Sequence, residues 1–89
     1  MAKVVFTKNI QRHVVCPETE VPGSSVREIL DNVFTANPQA RSYVLDDQAA
    51  LRRHMTIFVD GRAIRDRQRL SDSITSTSTV YVFQALSGG

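Results

Sequence analysis

The chain closes on Thr79-Val80-Tyr81-Val82-Phe83-Gln84-Ala85-Leu86-Ser87-Gly88-Gly89, and this stretch decides how the rest is read. From Thr79 to Gln84 the residues are β-branched or aromatic between two polar ends, the composition of a strand. Side chains alternate across a strand, so Val80 and Val82 share the core side while Tyr81 and Phe83 point the other way. After Gln84 the side chains are small apart from Leu86, and the last two residues have none. Lacking a Cβ, Gly88 and Gly89 thread narrow spaces and take backbone angles closed to other residues. The expectation is a strand running into a slender tail, residues 85–89, whose α-carboxylate belongs to Gly89.

Working back, Met55, Ile57 and Val59 alternate with Thr56 and Phe58, which predicts another strand. Asp60-Gly61 is a hairpin signal, and Ala63-Ile64 reads as the short strand returning from it. By parity Phe58 joins Tyr81 and Phe83 on the outer face of the sheet. With no second layer to cover them, three aromatics form an exposed apolar patch, the candidate docking surface. Leu70-Ser71-Asp72 and a Ser/Thr-rich loop lead into the last strand.

The clearest helix lies upstream. Val26, Ile29, Leu30, Val33 and Phe34 fall at i, i+3, i+4, i+7 and i+8, one apolar stripe. Ser24 or Ser25 is placed to cap it, with Glu28 completing a capping box if Ser25 holds the cap. Asn37-Pro38 stops it, since proline disfavours helical geometry in the preceding residue. Between residues 39 and 50 a short second helix or a turn is expected. At the N-terminus, Lys3 to Thr7 reads as a strand, Lys8-Asn9 as a turn and Arg12 to Cys16 as the returning strand of a hairpin. Pro17 ends that strand because proline cannot donate to a ladder.

Eighty-nine residues suffice for one domain, here 1–84, and a chain this short buries roughly 60–65% of its unfolded surface. That allows one modest core and no deep catalytic cleft. The net charge is +2, and six arginines lie between Arg52 and Arg69 beside only Asp60 and Asp66. This half presents basic residues that can steer an acidic partner. No nucleic-acid motif or aromatic-basic interleaving accompanies them, so nucleic acid is not an expected partner. The single cysteine excludes an internal disulfide, and Cys16 reads as a small buried hydrophobe. His13 and His54 have no ligand or triad spacing to carboxylates or cysteine, so no metal is expected. Asp46-Asp47 reads as a turn or helix terminus. No glycine loop cradles phosphate, so ATP is not bound by the chain itself. No stretch is apolar enough for a membrane span and the N-terminus lacks a signal h-region, which points to the cytoplasm.

The element order, closing with a strand that runs into Gly88-Gly89, resembles the β-grasp (ubiquitin-like) fold. That is an α+β class with a mixed sheet of about four to five strands packed on one main helix. Within it the chain most resembles the small sulfur carriers that include the small subunit of molybdopterin synthase and the thiazole-biosynthesis carrier. The stretches that carry the likeness are Met55-Thr56-Ile57-Phe58-Val59-Asp60-Gly61 and Val80-Tyr81-Val82-Phe83 with Gly88-Gly89. Leu70-Ser71-Asp72 is similar to the turn before the last strand of ubiquitin.

The resemblance implies a protein cosubstrate rather than an enzyme. An E1-like partner uses ATP to adenylate Gly89, a sulfur donor converts the adenylate to a thiocarboxylate, and an accepting synthase takes the sulfur. Gly88, Ser87 and Leu86 would give access to the partner's channel. Phe58, Tyr81 and Phe83 would hold the domain on the partner, Phe83 matching an aromatic contact residue of the molybdopterin-synthase subunit. The carrier is expected to be monomeric when free. Gln84-Ala85 stand where molybdopterin-synthase subunits often have a proline pair, so the receiving pathway stays open. Two alternatives remain at this level: a ubiquitin-like modifier joined through Gly89 to lysines, and a noncatalytic binding module.

Overall fold

The computed structural model describes residues 1–84. In chain order its elements are β1 (Ala2–Phe6), α1 (Lys8–Gln11), β2 (Thr19–Val21), α2 (Val26–Ala36), α3 (Pro38–Val44), β3 (Met55–Val59), β4 (Arg62–Ala63) and β5 (Thr79–Gln84). The sheet order is β2-β1-β5-β3-β4. β5 is central, parallel to β1 with Val4 opposite Val80, and antiparallel to β3 with Ile57 opposite Val82. The parallel pair joins the two ends of the chain, so the sheet is mixed.

Alternation in the strands makes the core. Val4, Phe6, Met55, Ile57, Val80 and Val82 are buried on one face, where Ile29, Leu30, Val33 and Phe34 of α2 meet them in one cluster. α2 forms where its apolar stripe predicts, and its first N–H groups are satisfied in turn. Val26 and Arg27 donate to the carbonyls of Asp72 and Leu70 at 3.0 and 2.8 Å, and Glu28 donates to Ser25 Oγ at 3.2 Å. Ser25 is therefore the cap. Glu28 does not complete the expected box on it, because its carboxylate accepts instead from Ser24 N (2.8 Å) and Ser24 Oγ (2.7 Å). α2 ends at Ala36 as Asn37-Pro38 requires, but Pro38 then opens α3 from its first turn, where a missing N–H costs nothing.

The N-terminal hairpin is not formed. After β1 the chain turns through α1, which buries Ile10, and Arg12 to Cys16 follows without pairing. The antiparallel partner of β1 is β2, with Ala2 opposite Val21. One side of β1 is occupied by β5, so only one edge was open, and residues 19–21 take it while residues 8–16 close the end of the core with Ile10 and Cys16. The second hairpin is where Asp60-Gly61 put it, both residues having positive φ (50° and 88°) as such a two-residue turn demands. Its return strand is Arg62–Ala63, one residue earlier than expected.

Candidate functional site at the end of the central strand

Gly89, Gly88, Ser87 and Leu86, the residues expected to carry the chemistry, lie outside the described residues, as does Ala85. The site that can be built is what surrounds their root: the last residue of β5 and the sheet's outer face.

Gln84 continues the core-facing row of Val80 and Val82 past the apolar core. Its side-chain oxygen accepts from Tyr43 Oη at 3.1 Å and Asn9 Nδ2 at 3.3 Å. The first donor stands on α3 and the second on α1, so two helices converge on one atom at the strand's end. The His13 ring stacks on Tyr43 with centroids 5.5 Å apart and planes 18° from parallel. His13 is thus a turn residue against an aromatic, not the strand residue its β-prone neighbours suggested. Beside it Thr7 N donates to Val82 O at 3.2 Å, extending the β1–β5 pairing. The sequence reading missed this cluster. Its one signal was a polar side chain at a core-parity position.

On the outer face Phe58 stands opposite Tyr81 across β3 and β5. Phe58 also packs on Phe83, ring centroids 5.2 Å apart and tilted by 56°, a favourable aromatic arrangement. Both rings are half-buried by this contact, while Tyr81 remains 46% exposed. Val5 lies opposite Tyr81 on the other flank, half-buried. The three aromatics expected on one face are brought together there, and the helices bury their apolar residues in the core on the opposite face.

The arginine-rich segment is partly committed inward. Arg67 Nη2 donates to the carbonyls of Met55 (2.7 Å), Arg52 (3.0 Å) and Arg53 (3.4 Å). Arg52 Nε donates to Ser42 O at 2.9 Å. Arg27 similarly reaches the carbonyls of Ala49, Gln68 and Arg69. These guanidinium groups staple the long connections around β3, where strand and helix ladders cannot supply partners. Asp46 closes a turn by accepting from Gln48 N and Ala50 N. Cys16 is buried, and desolvation raises its thiol pKa, so it stays protonated and a poor nucleophile near neutrality. His54 is exposed in the turn before β3. Among the described residues no three His, Cys, Asp or Glu side chains group as metal ligands, and no helix is long and apolar enough to cross a membrane.

No family model matches the chain, and no curated protein matches it. Solved structures do. A chain of the Amycolatopsis orientalis BexX/CysO complex superposes with a TM-score of 0.83 at 20% identity, covering 100% of both chains. CysO of Mycobacterium tuberculosis gives 0.80 at 15% identity, covering 97% of this chain and 100% of that one. SAMP1 from Haloferax volcanii gives 0.77 at 22% identity, covering 99% and 98%. The superposition covers the whole chain, and with the order β2-β1-β5-β3-β4 it gives this chain the ubiquitin-like β-grasp fold.

Proposed function

We propose that the protein is a sulfur carrier that works through the carboxylate of Gly89. The observation that carries this reading is Gly88-Gly89 standing four and five residues beyond the end of the central strand of a β-grasp domain. An α-carboxylate has a pKa of about 3.5, so at neutral pH it is an anion and a poor electrophile. Attack of a Gly89 oxygen on the α-phosphorus of ATP, with pyrophosphate leaving, would give an acyl-adenylate. A hydrosulfide ion, free or released by a sulfur donor, then attacks the acyl carbon. AMP leaves, the sulfur gives up its proton, and the product is a thiocarboxylate, a soft nucleophile for an activated carbon on an acceptor.

The division of labour follows from chemistry and size. The activating enzyme binds ATP and supplies the catalytic groups, and this chain supplies the reacting carboxylate. Ordering residues 85–89 in a partner's channel costs roughly 1–2 kcal/mol each. Contacts made by Phe58, Tyr81 and Phe83 would offset that, with Leu86 an apolar anchor and Ser87 and Gly88 small enough to pass. The basic side chains not tied to carbonyls would favour an acidic rim on that partner.

The test is intact-mass analysis of the full chain after incubation with an E1-like activating enzyme, ATP and sulfide. A species with one oxygen replaced by sulfur, absent when Gly89 is deleted, is expected. Persistent recovery of unmodified chain with an enzyme active on its own carrier would sink the reading. A modifier function is the second reading, favoured because matched solved structures include small archaeal modifier protein 1. Gly89-dependent adducts of high mass on a blot would place that function first. If removing Gly88-Gly89 leaves the cellular role intact, both give way to a noncatalytic binding module.

A further inference from the structure

We infer that Gln84 is a positioning residue, a clamp at the root of the tail that fixes the point from which the Gly89 carboxylate is presented. The inference rests on the activation chemistry proposed above and adds to it a group acting through others, touching neither ATP nor the reacting carbon.

The clamp is a polar residue where the strand pattern calls for an apolar one. Gln84 is in register opposite Met55 and continues the row of Val80 and Val82, both fully buried. A solvated glutamine at a strand's end would have no fixed partner. Here two donors meet the same oxygen, Asn9 Nδ2 from 75 residues away and Tyr43 Oη from 41 residues away. Tyr43 is itself held by the stacked His13 ring. Both donors ride on helices anchored in the core, α1 through Ile10 and α3 through Ala40 and Val44. Each such bond contributes modestly to stability, about 1 kcal/mol, so their consequence is geometric more than energetic.

That geometry sets a distance. Ala85 to Gly89 are five residues, which reach at most about 18 Å when extended. The clamp holds Gln84, the last residue of β5, by its side chain as well as by its backbone. Without it, Gln84 keeps only its backbone pairing opposite Met55 on β3, and no side-chain bond fixes the direction in which the chain leaves β5. Loss of a defined exit direction lowers the rate, since misaligned reacting groups forfeit it. The penalty falls on the step after docking, so it belongs in kcat. Docking through the aromatic face sets KM.

The experiment measures ATP–pyrophosphate exchange by the activating enzyme with full-length chain as the varied substrate. Gln84→Ala, Tyr43→Phe and Asn9→Ala are each expected to lower kcat about two- to five-fold with KM unchanged. Gln84→Glu keeps an acceptor oxygen for both donors and is expected to restore the native kcat. Tyr81→Ala, on the docking face, is expected to do the opposite and raise KM at constant kcat. Equal kcat for Gln84→Ala and the native chain overturns the inference, as does an effect confined to the urea midpoint. A second readout needs no partner: the heteronuclear NOE of the Gln84 side-chain amide. A rigid amide, loosened in Tyr43→Phe to the level of exposed Gln48, is expected. An amide as mobile as that of Gln48 in the native protein overturns the clamp itself. A rigid amide in a chain that the enzyme never adenylates overturns the proposed function and the positioning role with it, while leaving the hydrogen bonds in place.

Discussion

Arg67 has three backbone carbonyls around its guanidinium, two of them in partly buried bonds, so its worth lies in satisfying those oxygens. Removing it takes this donor from Met55 O while Arg52 O keeps Met55 N at 3.0 Å, and Arg67→Ala is expected to lower unfolding stability by about 1–2 kcal/mol, read from urea titration. Arg67→Lys should recover only part of this, because an ammonium cannot reproduce the planar fork. Composition alone could count the arginines between Arg52 and Arg69 but not say which face solvent. Two carboxylates make a prediction about acid. Glu28 has its pKa lowered by Ser24 N–H and then Ser24 Oγ–H, and Asp66 by Ser71 Oγ–H and then Arg69 N–H. A depressed folded-state pKa means stability that is complete above the ordinary carboxylate values, 4.5 and 3.8, and lost as pH falls through the lower folded ones. The urea midpoint should therefore be flat above about pH 6 and drop below pH 4.5, with Glu28→Gln and Asp66→Asn each shallowing that drop. Glu28 is exposed and Asp66 half-buried, so salt should weaken the effect, more at Glu28.

At the scale of elements, turn chemistry was the most readable feature and strand partnership the least. Asp60-Gly61 announced its hairpin because few residues accept positive φ, and Asp60 goes further by accepting from Thr79 N at 2.9 Å, tying the hairpin to β5. Arg12 to Cys16 has strand-like composition, yet a strand needs a free edge, and β1 had given its two edges to β5 and β2. The capping of α2 was half legible for a related reason: Ser25 acts locally, whereas the carbonyls of Leu70 and Asp72 arrive from a distant loop. Two glycines separate backbone strain from crowding. A Cβ at Gly61, φ 88°, meets nothing within 4 Å, so Gly61→Ala should cost about 1–2 kcal/mol from backbone strain alone. At Gly23, φ 148°, the same Cβ would sit 2.8 Å from Ile29 Cγ2 and 3.1 Å from Glu28 Cβ. Gly23→Ala should therefore be the more destabilising of the two, and paired thermal melts decide it.

For the whole molecule, the central place of β5 links stability to the proposed function. It is bonded to β1 on one side and β3 on the other, and it contributes Val80 and Val82 to the core. A chain ending at Ser78 should fail to fold by circular dichroism and amide dispersion, because β1 and β3 would face each other across a missing strand. A chain lacking only Gly88 and Gly89 should melt as the native one does while losing activation. The sequence by itself determined the last strand, the amphipathic helix, the Asp-Gly hairpin and the side on which the aromatics lie, since periodicity and backbone preference act between near neighbours. Only the tertiary structure decided which segment completes the sheet beside β1, which arginines turn inward, and that Gln84 is gripped by Asn9 and Tyr43. Each of those depends on groups tens of residues apart meeting at one point, and no local pattern in a single sequence records such a meeting.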